Sequence, residues 1–107
     1  MAKKKVMVLE KDGEFYVDPP AVELEFKAGP GNADELKVIN RTNEDLVWRV
    51  EDPTAFGAAV LEIVPKKKIS PAKTAQNVSG VFEYQVLMIR SGKKAKGNSD
   101  PVIIIEN

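Results

Sequence analysis

Apolar and polar residues alternate with a period of two along most of this chain, and no window sustains a helical stripe. The runs KVMVLE and FYVD flank Asp12 and Gly13, two residues that accept the positive φ angles of a tight turn. They read as a β-hairpin. Pro19 and Pro20 cannot donate ladder hydrogen bonds, so they mark a strand entry or an edge. In AVELEFKA, Val22, Leu24 and Phe26 fall on one face and Glu23, Glu25 and Lys27 on the other, the pattern of a half-buried strand. AGPGN is a turn by composition.

ELKVINR places Leu36 and Val38 on one face, and DLVWRVE does the same with Leu46, Trp48 and Val50, with RTNED as the polar turn between them. DPTAFGAA breaks the alternation at Pro53 and Gly57 and has room for one short helical turn. VLEIV resumes as a strand, and PKKKISPAKTAQNV connects it to the most regular stretch, GVFEYQVLMIR, where Phe82, Tyr84, Val86 and Met88 share a face. The closing PVIIIE is apolar on both faces, as in strands that lie deep within a sheet. Eight or nine strands with frequent turns predict an all-β, antiparallel sandwich or barrel. Its expected core is Val22, Leu24, Phe26, Val38, Trp48, Phe82, Tyr84, Val86 and Ile104.

Composition narrows the chemistry. With 107 residues, 43% of them apolar and 30% charged, the chain is expected to form one domain over residues 1–107. A chain of that length buries roughly 65% of its unfolded surface. Cysteine and histidine are both absent, which removes disulfides, thiolate metal sites, thiol nucleophiles and the commonest general base. No apolar run is long enough to span a bilayer as a helix, and no signal peptide is legible at MAKKKVMVLEK. A periplasmic or other extracytoplasmic location would require a leader that has been removed. Net charge is zero, but residues 1–62 carry 8 Lys/Arg against 13 Asp/Glu, and residues 63–107 carry 8 against 3. In a sandwich, early and late strands interleave, so the two halves are expected to neutralise one another.

The order of these elements resembles the cupredoxin family, the plastocyanin-type Greek-key sandwiches, and with that resemblance the expected fold is an all-β, antiparallel Greek-key β-sandwich of cupredoxin-like or immunoglobulin-like topology. The likeness runs through FYVDPPAVELEFKAG, LKVINRTNEDLVWRV, ISPAKTAQNVSGVFEYQVL with its aromatic-x-aromatic pair, and DPVIIIEN, most of residues 14–107. Copper members of that family use two histidines, a cysteine and often an axial methionine. The resemblance puts the thiolate position at Val86, two residues beyond Tyr84. It puts one imidazole near Asn43, Glu44 and Asp45, and the other within RSGKKAKGNSD. Met88 remains, and a lone thioether on a strand reads as core. Blue-copper electron transfer is therefore not expected, and no cofactor is expected.

Four other constellations bear on function. Ser70 and Lys73 have the spacing of a serine nucleophile with a lysine base, the basis of a small-hydrolase reading, but the helix start and companion motifs of such enzymes are missing. Carboxylates in NEDL and EDPT could serve calcium, though neither has EF-hand spacing. Asn40-Arg41-Thr42 and Asn77-Val78-Ser79 match the glycosylation pattern and read as ordinary turn and strand residues. Gly29, Gly31 and Gly97 make no phosphate loop.

Lysines cluster at Lys3, Lys4, Lys5, at Lys66, Lys67, Lys68 and at Lys93, Lys94, Lys96. If the last two groups meet at one end of the sandwich, they offer a patch for phosphate or an acidic surface. Aromatic residues do not interleave with them, which disfavours nucleic acid. The expected function is a non-catalytic, metal-free binding or structural module. Its partner would be a protein or a small anionic ligand, taken at Lys66, Lys67, Lys68, Lys93, Lys94 and Lys96 in the anion-binding reading.

Overall fold

The computed structural model describes residues 2–26, 33–95 and 100–106. The AGPGN turn, Lys96 and Gly97 lie outside these residues. Ten strands and no helix are present among the described residues: β1 Lys3–Lys11, β2 Glu14–Asp18, β3 Ala21–Glu25, β4 Glu35–Asn40, β5 Leu46–Val50, β6 Val60–Val64, β7 Lys73–Thr74, β8 Gly80–Glu83, β9 Gln85–Met88 and β10 Val102–Glu106. One sheet has the order β2-β1-β4-β7, and two three-stranded groups have the orders β3-β10-β8 and β6-β5-β9. The expected GVFEYQVLMIR strand is divided at Tyr84, with β10 pairing its first half and β5 its second. That division, with the two-residue β7, accounts for the strands beyond the eight or nine expected.

The predicted hairpin is present. Lys11 pairs with Glu14, and Asp12 and Gly13 take φ angles of 54° and 79° between them. A two-residue turn of this hand matches the twist of the strands it joins. Most pairs are antiparallel, as expected, but β1 with β4 and β3 with β10 are parallel. Parallel neighbours need a crossover. Here β2 and β3 intervene between β1 and β4, with β3 belonging to a different sheet. Residues 52–58 form turns rather than the helical turn DPTAFGAA had room for, and the Asp52 carboxylate accepts hydrogen bonds from Thr54 N–H and Oγ1.

Alternation selects the core. Val22 and Leu24, Leu36 and Val38, Leu46, Trp48 and Val50, and Phe82, Tyr84, Val86 and Met88 are all buried, and Trp48 meets Phe56 edge-on with ring centroids 6.2 Å apart. Two expected core residues are not part of it. Ile104 is only half-buried, because β10 pairs Ile103 with Val22 and Phe82, both inward, while Ile104 sits opposite outward Glu23 and Val81. Paired residues share a face, so Ile103 and Ile105 fill the core instead. Phe26 lies past the end of β3, in an isolated bridge to Ala33, and is half-buried.

Asp34 holds the entry to β4. Its buried carboxylate accepts Ala2 N–H at 2.8 Å and Glu25 N–H at 3.0 Å, while its backbone carbonyl accepts Ala75 N–H at 2.9 Å. Burial pushes the carboxyl's pKa up, but the hydrogen bonds from Glu25 and Ala2 and the Lys4 charge outweigh it and leave the pKa below the usual value. A lowered folded-state pKa contributes stability above the unfolded value of about 3.9, lost as pH falls through the folded one. In acid titrations followed by urea unfolding, wild type should lose stability below pH about 4, and Asp34→Asn should lose part of that dependence. At neutral pH the same substitution should cost about 1–3 kcal/mol.

Tyr84 carries the opposite sign. Its hydroxyl and Trp48 Nε1 are buried without a hydrogen-bond partner among the described residues, and burial pushes the phenol far above its ordinary range. This contribution is fully present below about pH 10, the unfolded phenol's value, and is lost as pH rises toward the folded one. Tyr84→Phe removes an unpaired buried hydroxyl, so it should be neutral or stabilising by up to about 1 kcal/mol at neutral pH. Its unfolding midpoint should also fall less steeply in alkali.

Candidate functional site

Two connections, the one after β6 and the one after β9, meet residues 41–45, the turn between β4 and β5. The turn is built on Asn40, the last residue of β4, whose carboxamide is buried. Asn40 Nδ2 donates to Glu44 O at 2.7 Å and to Val64 O at 3.0 Å, and its Oδ1 accepts Thr42 N–H at 2.9 Å. Thr42 Oγ1 lies 2.8 Å from Asn40 Oδ1 and accepts Glu44 N–H at 3.2 Å. One side chain thus closes the turn and ties it to the end of β6. With its amide used in this way and buried, Asn40 is not a glycan acceptor.

The neighbouring loops attach to this turn from both sides. Asp45 Oδ1 accepts Lys66 N–H at 2.9 Å, and Lys67 Nζ donates to Arg41 O at 2.9 Å. Across the turn, Asp45 O accepts Ile89 N–H at 3.0 Å, and the buried Glu44 carboxylate accepts Ser91 N–H at 2.9 Å. Residues 93–95 fold back along β9, with Met88 N–H donating to Lys93 O and Ala95 N–H to Val86 O. The three regions to which the cupredoxin resemblance assigns metal ligands are therefore adjacent. They are joined by carboxylate and backbone hydrogen bonds, and Val86 itself is a buried core side chain.

The two lysine groups flank this turn without merging. Lys66 shares a shallow depression of about 180 Å³ with Arg90, Ile89, Asn43, Glu44 and Asp45. Neither Lys66 nor Arg90 is ion-paired among the described residues. Lys67 is turned to Arg41 O, and Lys93 Nζ donates to Gly13 O at 2.8 Å in the β1–β2 turn. Lys68 and Lys94 are exposed, while Lys96 lies outside the described residues. Arg90 was missed by sequence reasoning because it follows a strand rather than sitting in a lysine run; its place beside Lys66 depends on the pairing of β9 with β5.

The Ser70–Lys73 pair is committed elsewhere. Ser70 Oγ accepts Val38 N–H at 2.8 Å and donates to Pro71 O at 3.1 Å, while Lys73 Nζ pairs with Glu62 at 2.6 Å. A nucleophile needs its hydroxyl directed to a base, and here the bonds of Ser70 hold the β6–β7 connection against β4. Among the described residues, no three His, Cys, Asp or Glu side chains are grouped to hold a metal ion. Among the described residues, no helix is long and apolar enough to cross a membrane.

No protein-family model matches the chain, and no curated protein matches it in sequence. Solved structures do match in shape. An oxidized methionine-to-lysine mutant of amicyanin superimposes with a TM-score of 0.63 at 12% identity, covering 97% of this chain and 82% of that one. The reduced Cu(I) form, at pH 4, of a proline-to-glycine mutant of amicyanin gives 0.62 at 12% identity over the same shares. A reduced tryptophan-to-tyrosine mutant of amicyanin gives 0.58 at 12% identity, over 95% of this chain and 80% of that one. At such identity the likeness is one of fold: this chain is a cupredoxin-like all-β sandwich.

The turn makes the loop end sensitive to one side chain. Asn40→Ala would strip Glu44 O and Val64 O of a buried donor, and it should cost about 2–3 kcal/mol in urea unfolding. Asn40→Asp, which sets a carboxylate against those two carbonyl oxygens, should cost more.

Proposed function

We propose that this chain is a non-catalytic, metal-free binding module that takes an anionic group, a small anion or a carboxylate-bearing protein surface, at the loop end formed by residues 41–45, 66–68 and 89–95. The observation that carries the reading is the state of the charges at the depression. Glu44 and Asp45 each accept a backbone N–H from a neighbouring loop, while the Lys66 ammonium and the Arg90 guanidinium at the same depression have no carboxylate partner among the described residues. Unpaired cations on a hydrogen-bonded rim favour anions at little cost in ordering. Lys68 and Lys94 are exposed on the connections that flank it, while the Lys67 and Lys93 ammonium groups are held on Arg41 O and Gly13 O.

A plastocyanin-like copper role is opposed by the donor set. Without an imidazole or a thiol anywhere in the chain, Val86, Asn43, Glu44 and Asp45 offer only an apolar side chain, a carboxamide and carboxylates engaged in loop hydrogen bonds. The cupredoxin-like fold does not carry its chemistry with it.

Two measurements test this reading. In NMR titrations with inorganic phosphate and with poly-L-glutamate, amide shifts should concentrate at residues 43–45, 66–68 and 89–94 and fade as salt rises. Lys66→Glu with Arg90→Glu should weaken the response about tenfold or more. Shifts scattered over the whole surface, or unaltered by charge reversal, would refute it. Stoichiometric Cu(II) should produce no intense blue band.

A further inference from the structure

We propose that a second copy of this chain pairs antiparallel with the edge strand β6, joining two β6-β5-β9 sheets into one. The inference concerns a different surface from the loop end and does not depend on its ligand. Other strands that end their sheets are protected against such pairing. β2 presents Glu14 and Asp18 outward beside Tyr16, β3 presents Glu23 and Glu25, β8 presents Glu83, and β7 has only two residues. Residues 93–95 cover β9. Charges, shortness and cover are the usual defences of an edge.

β6 has none of them on its outer face. Leu61 is 70% exposed and Ile63 64% exposed, and both point to solvent with no charge between them. The one charged residue of the strand, Glu62, faces inward and is held by Lys73 from the opposite sheet at 2.6 Å. Register extends the apolar surface across the sheet on the Ile63 side, where Ile63 pairs with Val47 and Val47 with Leu87, while Leu61 pairs with Arg49, whose guanidinium is taken by Glu51. Among the described residues, no strand pairs with the other side of β6.

The sequence VLEIV is self-complementary about its centre. A two-fold axis at Glu62 sets Leu61 beside Ile63 of the second copy and Ile63 beside Leu61, a four-residue apolar cluster on one face. Cross-strand apolar pairs of this kind stabilise a sheet. The central Glu62 side chains meet with their charges already offset by Lys73, so the like-charge penalty is reduced. Lys66 and its neighbours fall opposite residues 56–58 rather than opposite one another. The exposed parts of Leu61 and Ile63 come to roughly 250 Å² per copy, short of the ~800 Å² per partner in a standard interface. The dimer is therefore reversible, with a dissociation constant on the order of 100 μM.

Sedimentation equilibrium of the full chain from ~10 μM to ~1 mM spans that constant. The mean mass should climb from the 11.8 kDa monomer toward twice that value. Leu61→Lys and Ile63→Lys should each weaken association about tenfold or more, while Lys66→Glu should leave it in place, which separates this seam from the loop end. A mass that stays at the monomer value throughout overturns the proposal, as does association that neither lysine substitution weakens. Should those variants fail to give a β-type circular dichroism spectrum, amide exchange on wild type decides. Protection at Leu61 and Ile63, whose N–H groups face the open edge while that of Glu62 faces β5, should rise with concentration if the pairing forms, and protection of those two independent of concentration overturns it.

Discussion

The carboxamide of Asn40 is the contact on which the arrangement of the loop end depends. A buried amide must find partners for both its donors and its oxygen, and only a few arrangements of the surrounding chain supply them. Here they are the carbonyls of Glu44 and Val64 and the N–H of Thr42. Meeting that requirement curls residues 41–45 into a closed turn and brings the end of β6 beside the end of β4. Every loop that meets the turn inherits its position: Lys66 and Lys67 from one side, Ile89 and Ser91 from the other.

This organisation explains why acidic residues at the turn do not make an acidic site. Glu44 and Asp45 are spent on loop N–H groups, acting as acceptors that hold the structure together. A carboxylate that accepts backbone hydrogen bonds still carries its charge, but it is partly offset by the aligned N–H dipoles. Among the described residues, Lys66 and Arg90 have no carboxylate partner at the same depression. The chemical character of the rim therefore follows from which charges the fold consumes, and a count of acids and bases in the sequence would not reveal it.

Period-two patterning made most strands and their inward faces legible, from the Asp12-Gly13 hairpin to the Leu46, Trp48 and Val50 face. It did so because burial on one side of a sheet leaves a direct imprint on alternate residues. Where both faces are apolar the imprint disappears. In PVIIIE nothing local distinguishes Ile103 from Ile104, and only pairing with Val22 and Phe82 decides between them. The parallel partners β1 and β4 were equally hidden, since alternation is blind to strand direction. At the loop end, the lysine runs were visible by composition. Asn40 and Glu44 were not, because their hydrogen-bond partners lie up to 47 positions away, and Arg90 was not, because its place beside Lys66 depends on the pairing of β9 with β5.

β4 is held by buried polar side chains at both ends, Asp34 before its first residue and Asn40 as its last. Between them lie the pairings to β1 and β7 and the inward Leu36 and Val38. Apolar packing alone tolerates sliding, whereas a carboxylate bound to Ala2 and Glu25 and a carboxamide bound to Glu44 and Val64 are satisfied in one register only. Fixing both ends of one strand therefore fixes the strands beside it and the loops that leave them. A binding surface carried on such loops loses little conformational entropy when it meets a partner. In this sandwich, the loops of that end are held in place by hydrogen bonds from the chain itself.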